Sequence, residues 1–514
     1  LLGEFMTSIL KYGTIDDKIL EELRAIVGDE NVFTEPHHRA IRASVPAPFP
    51  LHKWSEHTPD VVVLPGSTQE VSEVLKISNK YKIPVVPRGG ATGLADGAMP
   101  LRKGIILDIK RMCEILEIDE VDRTVTVQPG INMQELNRVL EKLGLWFPDD
   151  PASYPVAVVG GRVGTGGWSL VGAFGGHVPD LVLSMEVVLP TGDIIRVGNG
   201  GGRKIRKSSV GYRLKDLFIG HQGTLGVVTE ITLDVFPRPE VEFPAFFGYN
   251  SFEHAYENAF KMTTSGLRTL GAVVIFDEEK VEYLRRDDEA YIPQPKSIKS
   301  IIATVMYGTE AEVEGAKKRL FEIAEKDGAI YLGEELSEGD WASRHDRYAL
   351  PLHGRRRSDW QVVPMTWHCE DAAINHSQLP YVRKRWHEIA SRYIEQYDGV
   401  FDDWGMFMYS NPPFRPWGDY LTEIDIGINE LALDEETWEA WVNMKREIAE
   451  VVIEVEGSIS ACHGGTREGD VEVCVRQELK DGQFELMKKI KKMLDPNNIM
   501  NPGKYMLDEA YQEG

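Results

Sequence analysis

The chain is poor in the features that mark secreted, membrane-spanning or nucleic-acid-binding proteins. Only four of its 514 residues are cysteine, at 113, 369, 462 and 474, and none form a Cys-x-x-Cys pair. That spacing provides neither a disulfide framework nor an iron–sulfur ligand set, so a reducing, cytoplasmic compartment is expected. No run of 18 apolar residues exists, so no segment is long enough to span a bilayer. Positive charge is in the minority: 57 Lys and Arg face 81 Asp and Glu, a net charge of −24 with the acids dispersed. Such a surface repels nucleic acid and anionic membranes. The opening LLGEFMTSIL lacks a basic n-region and a cleavage site. Its first five residues read as a cloning remnant ahead of Met6.

What the chain has is glycine, 48 residues of it, gathered in three stretches. The first is VVPRGGATGLADGAMP, Val85 to Pro100, with Gly89, Gly90, Gly93 and Gly97. Glycine admits positive φ and lets N–H groups approach a ligand with no Cβ in the way, and successive N–H groups form a nest for a pyrophosphate. It is neither a Walker loop nor a G-x-G-x-x-G opening a helix. A compact β-α-β precedes it: a strand at Val61–Leu64, a helix opened by the capping box Ser67-x-x-Glu70, and a strand at Ile83–Val86. Strands at Ile105–Ile109 and Thr124–Gln128, a turn at Pro129-Gly130 and a helix capped by Asn132 and stopped by Gly144 follow.

The second stretch, VVGGRVGTGGWSLVGAFGGHVPD, holds eight glycines, more than turns require, and implies long backbone contact with a ligand. The third lies in LKDLFIGHQGTLGVVTEITLDVFPRPE, whose Pro237 and Pro239 mark a boundary. Beyond it glycine thins, and helices are predicted near 252–265, 310–326, 380–396 and 435–454. Arg344, Arg347, Arg355, Arg356 and Arg357 gather in this part, which reads as a substrate or cap domain. From Gly457 the first style returns, ending in LDPNNIMNPGKYM. A chain of this length needs two or three cores. The expected division is a lead-in at 1–56, a cofactor domain at 57–240, a cap at 241–456 and a segment at 457–514 that rejoins the cofactor domain.

PRGGATGLADGAMP, the glycine run ending in GGHVPD, SMEVVLPTG, GHQGTLGVVTEITL and LDPNNIMNPGK together resemble the FAD-linked oxidases of the vanillyl-alcohol-oxidase and p-cresol-methylhydroxylase superfamily. The nearest branch holds D-lactate and glycolate dehydrogenases and alkyl-dihydroxyacetonephosphate synthase. The resemblance implies an α+β fold: a two-subdomain FAD-binding domain of the p-cresol-methylhydroxylase (PCMH) type and an α+β cap. It also implies that FAD is held at the pyrophosphate by Arg88, Gly89, Gly90, Ala91, Thr92, Gly93 and Leu94, with Pro87, Pro129 and Gly130 among its further contacts. Gly160, Gly161, Thr165, Gly166, Gly167, Ser169 and Gly172 would run beside the flavin and its ribityl chain. Gly223, Gly226, Val227 and Val228 would flank the adenine, and Asn501 and Lys504 would close the pocket. Relatives that attach flavin covalently in the first loop carry His where this chain has Ala91, so non-covalent FAD is expected.

A flavin that takes a hydride needs a partner for the matching proton, and His suits that task near neutral pH. By the resemblance His463, after Gly-Ser-Ile-Ser, is the base or substrate-orienting group, with His177 and Tyr409 as further catalytic candidates. His368 and His376 read as structural. Metal-dependent 2-hydroxy-acid dehydrogenases of the branch carry His-x-Gly-Asp-Gly-Asn-x-His and a Glu before the shared His. Here Met406 and Cys462 replace ligands, and neighbours on a strand face opposite ways, so no metal is expected. Trp404, Tyr409, Phe414, Trp417 and Tyr420 imply a larger, aromatic pocket. The expected activity is therefore FAD-dependent oxidation of an aromatic or bulky alcohol-type donor. Alternatives are a non-redox transferase, a 2-hydroxy-acid dehydrogenase with a rebuilt metal site, and a flavin subunit serving an electron-transfer partner. Ile109, expected over the flavin, favours a dehydrogenase using a quinone, flavoprotein or iron–sulfur acceptor. A homodimer is the candidate assembly.

Overall fold

The computed structural model describes residues 11–43, 55–287, 296–345, 352–356, 362–410, 420–464, 472–480 and 482–511. Arg347, Arg357, Phe414 and Trp417 lie outside them. The first sheet contains β1 (Val32–Phe33), β2 (Val61–Val63), β3 (Val85–Arg88) and β4 (Ile105–Asp108), in the order β1-β2-β4-β3. β2 and β3 both pair parallel with β4. Their unbroken apolar runs are what parallel strands covered on both faces require, and Val61–Val63 and Ile105–Leu107 are fully buried. The connecting helix Thr68–Tyr81 starts where expected, Ser67 accepting the Glu70 N–H. The Glu70 carboxylate reaches back one residue further than a capping box, to the Gly66 N–H at 2.7 Å. β3 starts two residues later than expected, because Pro84 has no N–H to pair. β4 ends at Asp108, whose carboxylate accepts the Lys110 N–H and opens a turn at Ile109–Arg111.

A second, antiparallel sheet follows, of β5 (Ile115–Asp119), β6 (Thr124–Val127), β8 (Val182–Val188), β9 (Ile194–Gly198) and β10 (Val227–Asp234), in the order β5-β6-β10-β8-β9. β7 (Leu145–Trp146) and β11 (Phe236–Pro237) pair beside it. The long glycine run folds into three short helices, Val159–Thr165, Gly172–Gly175 and Val178–Leu181. It is therefore not one extended ligand-following stretch.

The cap is an eight-stranded antiparallel sheet: β12 (Val241–Tyr249), β13 (Leu270–Phe276), β14 (Ser300–Gly308), β15 (Ile330–Tyr331), β16 (Leu352–Arg356), β17 (Val362–Ile374), β18 (Phe401–Ser410) and β19 (Tyr420–Ile428). Its order is β15-β12-β14-β13-β18-β19-β17-β16. Helices at Phe252–Thr263, Glu310–Lys326, Leu379–Gln396 and Glu435–Glu454 cover one face. Strand side chains alternate between faces. Val273, Ile275, Met406 and Ile424 pack with Trp386 and Trp441 of the helices. Val274, Phe276, Tyr409 and Leu421 pack the other way, with Val171, Trp168 and Leu170 of the glycine-rich half. That second face forms one wall of the site. Asp150 ties the halves together, receiving Arg344 Nε at 2.9 Å and His345 Nε2 at 2.6 Å.

On the helix side, His387 is clamped between Asp277 and Asp403, both at 2.7 Å, with Arg383 on Asp277 at 3.1 Å. Past the cap, Ser458 bridges to Ala373, two helices follow, and Met500 bridges back to Val85. Lys491, buried in one of those helices, donates to the Thr224 and Met500 carbonyls. Among the described residues no helix is long and apolar enough to cross a membrane.

Candidate active site

A cavity of about 410 Å³ opens where the three glycine loops meet the inner face of the cap sheet. Residues Pro87 through Leu94 line it, with Gly160, Gly161, Thr165, Gly223, Gly226, Val227 and Val228. The glycines serve two ends. At Gly89, Gly90 and Gly160 a Cβ would fall 2.5, 2.6 and 2.5 Å from Val158, Val156 and Pro129, so the loops close against one another only without side chains. At Gly93 and Gly164 a Cβ would meet nothing within 4 Å, and the space its absence leaves belongs to the cavity. A glycine-rich lining with few charges suits an extended dinucleotide with a pyrophosphate. Arg88 supplies cationic character there, its pKa pushed down to about 10 by burial. Arg162 also lines the cavity, but its guanidinium is held by Asp149 at 2.8 Å and by the Gly167 and Trp168 carbonyls.

Several predicted contacts stand behind this wall instead. Pro129 accepts the Gly160 N–H at 2.7 Å and Gly130 packs under Ile109. Gly166 ends a helix in the left-handed region, and Gly167 occupies space that a side chain would contest with Arg162. Ser169 accepts the Asp150 N–H, and its own N–H donates to His177 Nδ1 at 3.1 Å. A Cβ on Gly172 would enter the His177 ring. His177 is thus a buried scaffold residue against Trp168, set back from the cavity, because the run coils into short helices. Asn501 braces the loops through the Gly97 and Gln222 carbonyls at 2.7 and 2.6 Å, and Lys504 through Asp96.

The cap contributes Trp367, Tyr409, Leu421 and Glu423 to the opposite wall, and the returning segment adds Cys462 and His463. Ile109 lines the cavity too. Cys462 and His463 share it because residues 459–463 are not a strand. They wrap around Asp371 of β17, whose Oδ2 accepts the Ala461 and Cys462 N–H groups at 2.6 and 2.5 Å. Asp371 Oδ1 lies 2.9 Å from His463 Nδ1. Burial opposes charge on the imidazole, but the neighbouring Cys369 and Cys462 and then Asp371 with its hydrogen bond raise its pKa well above the ordinary value. Met406, expected at a lost ligand position, points into the helix-side core instead. His368 pairs with Glu370 and His376 stacks on Tyr256, each apart from the cavity.

Glu423, Asp371 and Arg162 were not anticipated. β19 carried a signal for the first: its Ile424, Ile426 and Ile428 alternate with Glu423 and Asp425 in a strand buried throughout. Burial pushes the Glu423 carboxyl up to about 8. Cys369 Sγ lies 3.6 Å from His463 Nδ1, and Cys369, Glu423 and His463 present donor atoms within 4.8 Å of one another. These are donor types a transition metal accepts. In this arrangement burial raises the thiol pKa and Asp371 engages the His463 Nδ1.

A glycine-walled cradle closed by a side-chain wall from a cap sheet defines a PCMH-type flavoprotein. Residues 59–198 match the FAD binding domain family, and residues 428–505 the C-terminal domain of FAD linked oxidases. The mitochondrial cytochrome-type D-lactate dehydrogenase of Arabidopsis thaliana is 30% identical over 507 residues, 96% of this chain and 81% of that one. The glycolate oxidase subunit GlcD of Bacillus subtilis is 29% identical, covering 96% and 98%. Among solved structures, p-cresol methylhydroxylase with substrate bound superposes with a TM-score of 0.77 at 19% identity, covering 97% and 98%. An alkyldihydroxyacetonephosphate synthase gives 0.72 at 19%, covering 96% and 87%. The chain belongs to the FAD-linked oxidase family, and FAD is its cofactor.

Proposed function

We propose that the chain is a dehydrogenase for a 2-hydroxy acid carrying an apolar or aromatic substituent. The observation that carries this is His463, fixed by Asp371 on the wall shared by Trp367, Tyr409 and Leu421. A cation beside an apolar surface suits a donor with a carboxylate at one end and a ring or alkyl group at the other. The names of the glycolate and D-lactate relatives support the hydroxy-acid class, and the aromatic wall supports the larger substituent. Bound FAD supplies a two-electron acceptor for the hydrogen on the hydroxyl-bearing carbon. Residues 87–94, Gly160, Gly161, Thr165, Gly223 and Gly226 would hold it. The expected absence of a metal and of a covalent flavin link belong to the same reading.

The experiment is anaerobic mixing of the yellow protein with D-lactate, glycolate, phenyllactate, mandelate and benzyl alcohol. Aryl hydroxy acids should bleach the flavin fastest. His463→Gln should keep the flavin spectrum and raise the KM for the aryl hydroxy acids. Faster bleaching by benzyl alcohol than by mandelate would remove the carboxylate from the argument. No bleaching by any of them would favour non-redox use of FAD.

A further inference from the structure

Asp371 engages Nδ1 of the His463 imidazole and fixes the ring at the cavity wall, where Glu423 also stands. We propose that Glu423 is the proton acceptor of the site, while the Asp371-held His463 binds the carboxylate of the donor. This rests on the oxidation reading above.

Three observations place Glu423 in that role. Its side chain lines the cavity from β19, on the same face as Leu421. It lies within reach of His463, so a donor held by the imidazole would bring its hydroxyl near the Glu423 carboxyl. Of the neighbouring acids, Asp371 is committed to two backbone N–H groups and His463, and Asp425 to Lys280. The other groups facing the position are unsuited to accept a proton. Cys369 on β17 is a buried thiol, and Lys280 is in its ion pair. Burial keeps Glu423 protonated to about 8, with the His463 cation opposing and Asp425 and Asp371 reinforcing. It is therefore an acceptor whose competence grows as pH rises through that value, in the range where a base works best.

The step balances within the site. The donor O–H bond breaks and its proton passes to a Glu423 oxygen. The O–H electron pair becomes the second C–O bond as the carbon-bound hydrogen leaves with its pair, for which FAD held by residues 87–94 would be the two-electron acceptor. The organic product is a 2-oxo acid.

The test uses the flavin-loaded full chain with mandelate and phenyllactate. Glu423→Gln should retain FAD and lose roughly 10²-fold or more in flavin reduction, with Glu423→Asp recovering part of it. In the wild type kcat/KM should rise through about pH 8. That limb should vanish in Glu423→Gln and persist in His463→Gln, where KM rises. A second readout needs no donor. The oxidised flavin spectrum should show an ionisation near pH 8, absent in Glu423→Gln and moved upward in His463→Gln, which loses the opposing cation. Wild-type rates, or a surviving limb, in Glu423→Gln would overturn the role of Glu423 alone. A wild-type flavin that no donor bleaches would overturn the oxidation reading and this role together.

Discussion

The two walls of the cavity are built on opposite plans. The glycine-rich wall is made of backbone: at Gly90 and Gly160 the chain passes too close to Val156 and Pro129 for any Cβ, and at Gly93 the missing side chain is the ligand's space. The cap wall is made of side chains, Trp367, Tyr409, Leu421 and Glu423, carried by three strands that pair across the sheet. A backbone wall can hold a cofactor common to a whole family. A side-chain wall can change its donor by substitution without disturbing that cofactor. Cofactor binding and donor selection would thus be separated between the glycine-rich half and the cap.

The sharpest way to break this contrast is Gly90→Val, which sets a branched side chain against the Val156 carbonyl. The protein should fold yet purify without flavin, read from its visible absorbance. Yellow Gly90→Val would show that the backbone wall tolerates side chains after all. Next comes His387→Leu, on the far side of the cap sheet, which removes the cation shared by buried Asp277 and partly exposed Asp403 and leaves Asp277 to Arg383. Removing one partner of a buried network of this kind costs at most about 3 kcal/mol where another cation remains, read as a lower denaturation midpoint with flavin reduction little changed. The sign of its pH dependence follows from the shifts. The His387 pKa is raised, so its stabilisation is complete below the unfolded value of about 6.5 and fades as pH rises through the folded one. Asp277 is depressed to about 2, so its share is complete above about 3.8 and fades as pH falls from there through about 2. Wild-type stability should therefore be greatest in mildly acidic buffer, and this preference should disappear in His387→Leu.

A smaller effect is expected at Ile109, which lines the cavity from the turn that follows β4. Isoleucine is stiff at χ1 and fills its space permanently. Reduced wild-type protein should react slowly with dioxygen, and Ile109→Gly should react faster in stopped-flow mixing with air-saturated buffer. Rapid wild-type reoxidation, unimproved by glycine, would make the protein an oxidase. Smallest of all, a chelator should leave flavin reduction unchanged, and acid precipitation should release the colour to the supernatant. Activity lost to the chelator and restored by zinc would turn Cys369, Glu423 and His463 into ligands.

The same contrast explains what could be read in advance. The glycine loops are local in sequence, and the first strand–helix–strand unit, the Asn132 cap and the four long cap helices could be placed from spacing and caps alone. Glycine density did not reveal which side of each loop faces inward, so His177, Ser169 and Gly172 looked like contacts although they form the scaffold behind. Asp371 and Glu423 depend on β17 pairing with β19, a register set by about 50 residues of intervening chain and by the burial of Ile424 and Ile426. Cys462 and His463 were assigned opposite faces by strand alternation, but Asp371 bends that segment into a turn.

The return of the chain to its first sheet has a consequence for how the protein is made. Val85 donates its N–H to the Ile499 carbonyl, and the Asn501 N–H donates to the Val85 carbonyl, so β3 gains an edge partner from residues made more than 400 positions later. Asn501 also braces the Gly97 and Gln222 carbonyls of two glycine loops. During synthesis the cradle stays open along that edge until this segment has emerged. Domains otherwise fold as units as they leave the ribosome, but here flavin capture should be a late event. A nascent chain stalled before Met500 should form its cap sheet and remain colourless.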